Sequence, residues 1–62
     1  MSFKKITRLI TSDGWVPIII GDFHTQYGKP GYPAILIPNH TDDLSIRVIR
    51  HLEKITGLAL QG

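Results

Sequence analysis

The stretch Gly21-Asp22-Phe23-His24-Thr25-Gln26-Tyr27 decides how this chain folds, because it alternates in character as a half-buried strand does. Successive side chains of a strand point to opposite faces, so Phe23, Thr25 and Tyr27 are expected on one side and Asp22, His24 and Gln26 on the other. The aromatic side suits a core. The other side sets an imidazole beside a carboxylate and an amide, a polar surface able to meet a substrate. Just before it, Trp15-Val16-Pro17-Ile18-Ile19-Ile20 reads as a preceding strand, with Gly21 as the turn between them. Just after it, Gly28-Lys29-Pro30-Gly31-Tyr32-Pro33 is dense in turn residues and predicts a loop leading to a short third strand, Ala34-Ile35-Leu36-Ile37.

The first of these strands is apolar at nearly every position. Alternation puts Trp15, Pro17 and Ile19 on one face and Val16, Ile18 and Ile20 on the other. A small antiparallel sheet usually wets one face, so this strand is either central and covered or leaves apolar surface for a partner. Pro17 has no N–H to give a ladder, which argues for an edge position or a bulge. An apolar edge invites pairing with another chain. The expectation is therefore that part of Trp15–Ile20 is core and that the exposed remainder marks a protein partner or self-association.

Helical periodicity brackets the strands. Over residues 3–12, Phe3, Ile6, Leu9 and Ile10 recur on one face, Lys4, Lys5 and Arg8 occupy the other, and Ser2 is placed to cap the N-terminus. Ser12-Asp13-Gly14 signals the stop. A polar, acidic loop, Pro38-Asn39-His40-Thr41-Asp42-Asp43, precedes the last helix. There Ser45 suits the N-cap, Asp42 and Asp43 suit the positive end of the helix dipole, and Gly57 suits the residue just past the C-terminus. Val48, Ile49, Leu52 and Ile55 cluster on its wheel, with Arg47, Arg50 and Lys54 opposite. The predicted order is α-β-β-β-α: an α+β domain with a three-stranded antiparallel sheet backed by two helices.

A chain of 62 residues is expected to form a single domain over 1–62. Chains of this size bury only about 60% of their unfolded surface, so any chemistry is expected on an open face rather than in a deep pocket. The absence of cysteine excludes a disulfide framework and a thiolate zinc site. The three histidines, His24, His40 and His51, show no ligand spacing, so neither a metal site nor a cofactor is expected. No apolar run approaches a membrane span or a signal-peptide core, and the reading is a soluble, cytoplasmic chain without membrane contact. The net charge of +2 is modest, but six of its seven basic residues fall in the two helical segments.

Several of these residues, taken in order, carry a resemblance. Asp13-Gly14-Trp15, the strand-borne His24 with Gln26-Tyr27, Ile37-Pro38-Asn39-His40, and Asp43-Leu44 leading into Val48-Ile49-Arg50-His51-Leu52 and Gly57-Leu58 together resemble a HicA-type mRNA interferase toxin. The likeness runs from about Ile6 to Leu58 and rests on joint order and spacing, since each motif is short. It implies a double-stranded-RNA-binding-domain-like fold, ribosome-independent cleavage of mRNA, and inhibition by a HicB-like antitoxin. It also implies a catalytic histidine on the second strand, in a Gly-Ser-His or Gly-Gly-His motif, at the position of His24. The chain departs from the pattern where Asp22-Phe23 replaces Gly-Ser, where Gly21 replaces a basic residue, and at Ile46 and Arg47, positions often Lys or Gly.

The chemistry fits those residue types. Histidine changes charge near neutral pH, so His24 suits proton transfer as general acid or base. RNA brings its own nucleophile, the 2′-OH. Cleavage then needs a base for that hydroxyl, positive charge at the pentacoordinate phosphate, and a proton for the leaving oxygen. Asp22 or Gln26 would orient the imidazole, and His40 is a further supporting candidate, though more simply a turn residue. His51, beside the apolar stripe of the last helix, reads as a boundary residue. Lys4, Lys5, Arg8, Lys29, Arg47, Arg50 and Lys54 form the expected RNA-binding set, because affinity for nucleic acid is largely charge neutralisation. Ordinary solvation of two helix faces would explain the same residues. A catalytically silent relative that binds nucleic acid or protein is the competing functional reading.

Overall fold

In a computed structural model, which describes residues 3–39 and 44–61, the chain opens with helix α1, Phe3–Ser12. Ile6 and Ile10, one turn apart, are fully buried, while Phe3 is half-buried and Leu9 lies at the rim, 37% exposed. Lys4, Lys5 and Arg8 face outward as the wheel predicts. The Thr7 and Thr11 hydroxyls donate back to the Phe3 and Thr7 carbonyls, at 3.0 and 2.7 Å, which lets two polar residues sit inside the helix. Asp13 and Gly14 then turn the chain out through N–H bonds to the Ile10 and Thr11 carbonyls, both 3.1 Å. The expected cap at Ser2, and His40, Asp42 and Asp43, lie outside the described residues.

Three antiparallel strands follow in the order β1-β2-β3: β1 Val16–Ile20, β2 His24–Gly28 and β3 Ile35–Pro38. The α-β-β-β-α order read from the sequence is the order observed. Tyr27, Ile35 and Ile37 face the same core as Ile6 and Ile10, and they are joined there by Trp15, Leu44 and Leu60. Helix α2, Ile46–Thr56, adds Ile49 and Leu52 to it. Both helices therefore cover one face of the sheet. Fully burying an aliphatic side chain of this kind contributes about 1.5–3 kcal/mol, so this one layer supplies most of the drive to fold.

The opening stretch does not run as one strand. The Gly21 N–H donates to the His24 carbonyl at 2.9 Å, which makes Asp22 and Phe23 the two-residue tip of a hairpin. Phe23 is therefore 72% exposed instead of joining Thr25 and Tyr27 inside, where those two are 7% and 8% exposed. Strand β2 begins only at His24 and continues through Gly28, which the sequence reading had placed in the loop.

Strand β1 is an edge strand, and its register against β2 shifts between Pro17 and Ile19. Pro17 thus sits at both of the places a ladder tolerates it, an edge and a bulge. The bulge breaks the strict alternation expected along Trp15–Ile20: Pro17 pairs opposite the inward-facing Tyr27 and Ile20 opposite the inward-facing Thr25. Trp15 precedes the strand and is buried, whereas all five strand residues are exposed, the four aliphatic ones from 57% at Val16 to 77% at Ile20. The central, covered alternative is excluded.

Helix α2 ends as its sequence predicts. The Ser45 hydroxyl accepts from the Val48 N–H, and Gly57 takes a left-handed conformation at φ 74°, where its N–H reaches the Glu53 carbonyl at 2.8 Å. The tail then folds back. Glu53 accepts the Leu60 N–H at 2.8 Å and the Gln61 side-chain amide at 3.1 Å, and Leu60 drops into the core. The Leu60 N–H bond, followed by that of Gln61, holds the Glu53 carboxyl below its ordinary range. Among the described residues no helix is long and apolar enough to cross a membrane.

Candidate active-site groove

His24 stands at the first position of β2, directly after the hairpin tip, and its placement comes from Asn39 at the end of β3. The Asn39 side-chain amide donates to the Gly21 carbonyl at 2.7 Å and accepts from the Thr25 hydroxyl at 2.6 Å. Its backbone N–H donates to the Phe23 carbonyl at 2.7 Å. One residue, through its side chain and its backbone N–H, thereby ties both strand ends and the tip around His24. Gly21 is needed for closeness: a Cβ there would lie 2.8 Å from the His24 carbonyl oxygen, inside backbone contact distance. Sequence alone places Asn39 in a loop and in the Ile37-Pro38-Asn39-His40 motif, and gives it no role in holding His24.

Because Thr25 faces the core, His24 is directed to the opposite, uncovered face, where it is exposed beside its register partner Pro38. That face opens into a groove of about 500 Å³. Its sheet wall is His24 with Ala34, Leu36 and Pro38, and its other wall is Arg47, Val48 and His51 of α2. Helix α2 sends Ile49 and Leu52 into the core on the far side of the sheet, so its flank reaches the groove past the free edge of β3. The floor is apolar. Among the described residues its polar side chains are two imidazoles, one on each wall, and one guanidinium.

The expected site residues divide sharply. His24 and Arg47 are brought together; Asp22 sits at the exposed hairpin tip, and Gln26 is half-buried on β2 opposite Leu36. Arg50 and Lys54 are exposed on α2, and Lys4, Lys5 and Arg8 are on α1; none of these lines the groove. Lys29 stands at the other end of β2 from His24. Its ammonium pairs with Asp13 at 2.8 Å and lies 4.9 Å from the Tyr32 ring centroid, and that ring meets the buried Trp15 edge-on at 5.5 Å. The Lys29 hydrogen bond is the main reason the Asp13 carboxyl is held below its ordinary value. Lys29 thus closes the loop over the core.

His51 is the groove residue that the sequence reading passed over. One signal was available: His51 is four positions after Arg47, and residues at that spacing share a helix face. Its convergence with His24 is a matter of tertiary packing. Among the described residues no three His, Asp or Glu side chains gather to hold a metal ion. No family model, curated protein or solved structure matches the chain.

Proposed function

We propose that this chain is an endoribonuclease that cleaves mRNA, a toxin of the HicA-like type held in check by a HicB-like antitoxin. One observation carries the reading: an exposed imidazole, His24, shares an open groove with the guanidinium of Arg47. RNA supplies the attacking 2′-OH, so the reaction asks for proton transfer and charge stabilisation rather than an activated water. His24 takes part in the proton transfer, and Arg47 offsets the charge that builds on the pentacoordinate phosphate. The apolar floor of Leu36, Pro38 and Val48 suits the face of a ribose or base. Outlying cations on α1 and α2 attract the polyanion without defining sequence.

An mRNA substrate puts the site of action in the cytoplasm. A protein inhibitor covering His24 would find apolar purchase close by, since Phe23 at the hairpin tip and Ile20 at the end of β1 are 72% and 77% exposed. The same strip would serve self-association.

The test is incubation of purified RNA with the protein and with His24→Ala. Wild-type protein is expected to produce fragments, and the variant to lose at least about 100-fold in rate, the usual contribution of general acid–base catalysis. His24 is exposed, so the variant should keep the fold, as Trp15 fluorescence would verify. Undiminished cleavage by the variant removes His24 from the mechanism. RNA that is bound but never cut by the wild-type protein leaves a binding module in place of an enzyme.

A further inference from the structure

We propose that His51 is the second proton-transfer residue of this groove, acting across the scissile phosphate from His24. The inference rests on the endoribonuclease reading and extends it. Attack by a 2′-oxygen on phosphorus places the entering and leaving oxygens roughly in line, on opposite sides of the phosphorus atom. One group must take the 2′-OH proton while another gives a proton to the 5′-oxygen. A single imidazole on one wall does not reach both sides in the same step.

The groove supplies the missing group. His24 comes from β2 on the sheet wall and His51 from α2 on the other, with Arg47 one turn before His51 on the same wall. Among the described residues these are the titratable or charged groups that line the groove: β2 gives His24, the β3 wall gives apolar residues, and α2 gives Arg47 and His51. Arginine does not release its proton in a protein, so Arg47 serves as the charge partner of the phosphate, and the proton work falls to the two histidines.

The step balances without a co-reactant. The 2′-oxygen forms a bond to phosphorus as the bond from phosphorus to the 5′-oxygen breaks. One imidazole gains the 2′-OH proton, and the other, as imidazolium, gives its proton to the departing 5′-oxygen. The products are a 2′,3′-cyclic phosphate end and a 5′-hydroxyl end. Exchange with water resets the pair.

The experiment compares wild-type protein, His24→Ala and His51→Gln in single-turnover cleavage of an RNA oligonucleotide that the wild-type protein cuts. A second substrate carries sulfur in place of the bridging 5′-oxygen at that bond. A thiolate leaves without a proton, so the loss of a general acid is masked on the sulfur substrate and the loss of a base is not. Each variant is expected to lose about 100-fold or more on ordinary RNA. Only one of them should recover to near the wild-type rate on the sulfur substrate, which identifies the acid. Wild-type activity in His51→Gln, or recovery by neither variant, overturns the role of His51 while the endoribonuclease reading stands. Absence of cleavage by the wild-type protein overturns both.

Discussion

Asn39 shows how much of the candidate site depends on one amide. Its side chain accepts from the Thr25 hydroxyl and donates to the Gly21 carbonyl, so the strand end that carries His24 has little freedom to move. Replacing Asn39 with Ala leaves the Thr25 hydroxyl and the Gly21 carbonyl without these partners. A loss of about 1–2 kcal/mol in unfolding free energy is expected, in keeping with two partly exposed hydrogen bonds. Urea unfolding followed by Trp15 fluorescence reads it directly, since that indole is the only tryptophan and is 1% exposed. If His24 also loses its position, cleavage should fall further than the stability loss alone explains. An unchanged midpoint would show that the hairpin holds itself.

At the scale of elements, β1 and α2 are stabilised in different ways, and substitutions should separate them. The α2 cap is local: the Ser45 hydroxyl takes up an N–H that the helix cannot satisfy, so Ser45→Ala is expected to cost about 1 kcal/mol. Strand β1 buries none of its side chains, so Ile20→Thr is expected to stay within about 0.5 kcal/mol of the wild type. What Ile20→Thr should change is association, because it takes an apolar side chain off an uncovered edge. Thermal unfolding of the two variants, with sedimentation for the second, checks both. A large loss of stability in Ile20→Thr would mean that β1 is packed against something in solution.

For the whole molecule, acid and salt are the informative variables. Asp13 and Glu53 both have folded pKa values below the ordinary range, through the Lys29 hydrogen bond and the Leu60 N–H bond respectively. The unfolded chain therefore binds more protons than the folded one as pH falls through this region. The stabilisation is present above the ordinary values, 3.8 for Asp13 and 4.5 for Glu53, and is lost as pH drops from there through the lower folded values. Urea midpoints at descending pH should show that loss, and Glu53→Gln should flatten it while lowering the midpoint at neutral pH. RNA affinity should fall with added salt, and Arg47→Gln should reduce the log–log slope by about 0.7 if its phosphate contact is to a single strand. Affinity indifferent to salt would remove phosphate gripping from the account.

What the sequence determined alone was most of what is set at short range, the exception being the Gly21–His24 turn that puts Phe23 at an exposed tip. The spacing of Ile6 and Ile10, the caps at Ser45 and Gly57, and the turn residues around Asp13-Gly14 act within a few positions, and each stands as expected. The proline rule likewise asked for an edge position or a bulge, and β1 has both. Tertiary structure alone decided the rest, because those contacts join residues far apart along the chain. Local alternation carries no sign of the Asn39 latch onto Gly21 and Thr25, or of the tail returning to Glu53. Nor does it show α2 passing the edge of β3 to bring His51 into the groove of His24, since helix packing, not local pattern, selects which wall an exposed helix flank will form.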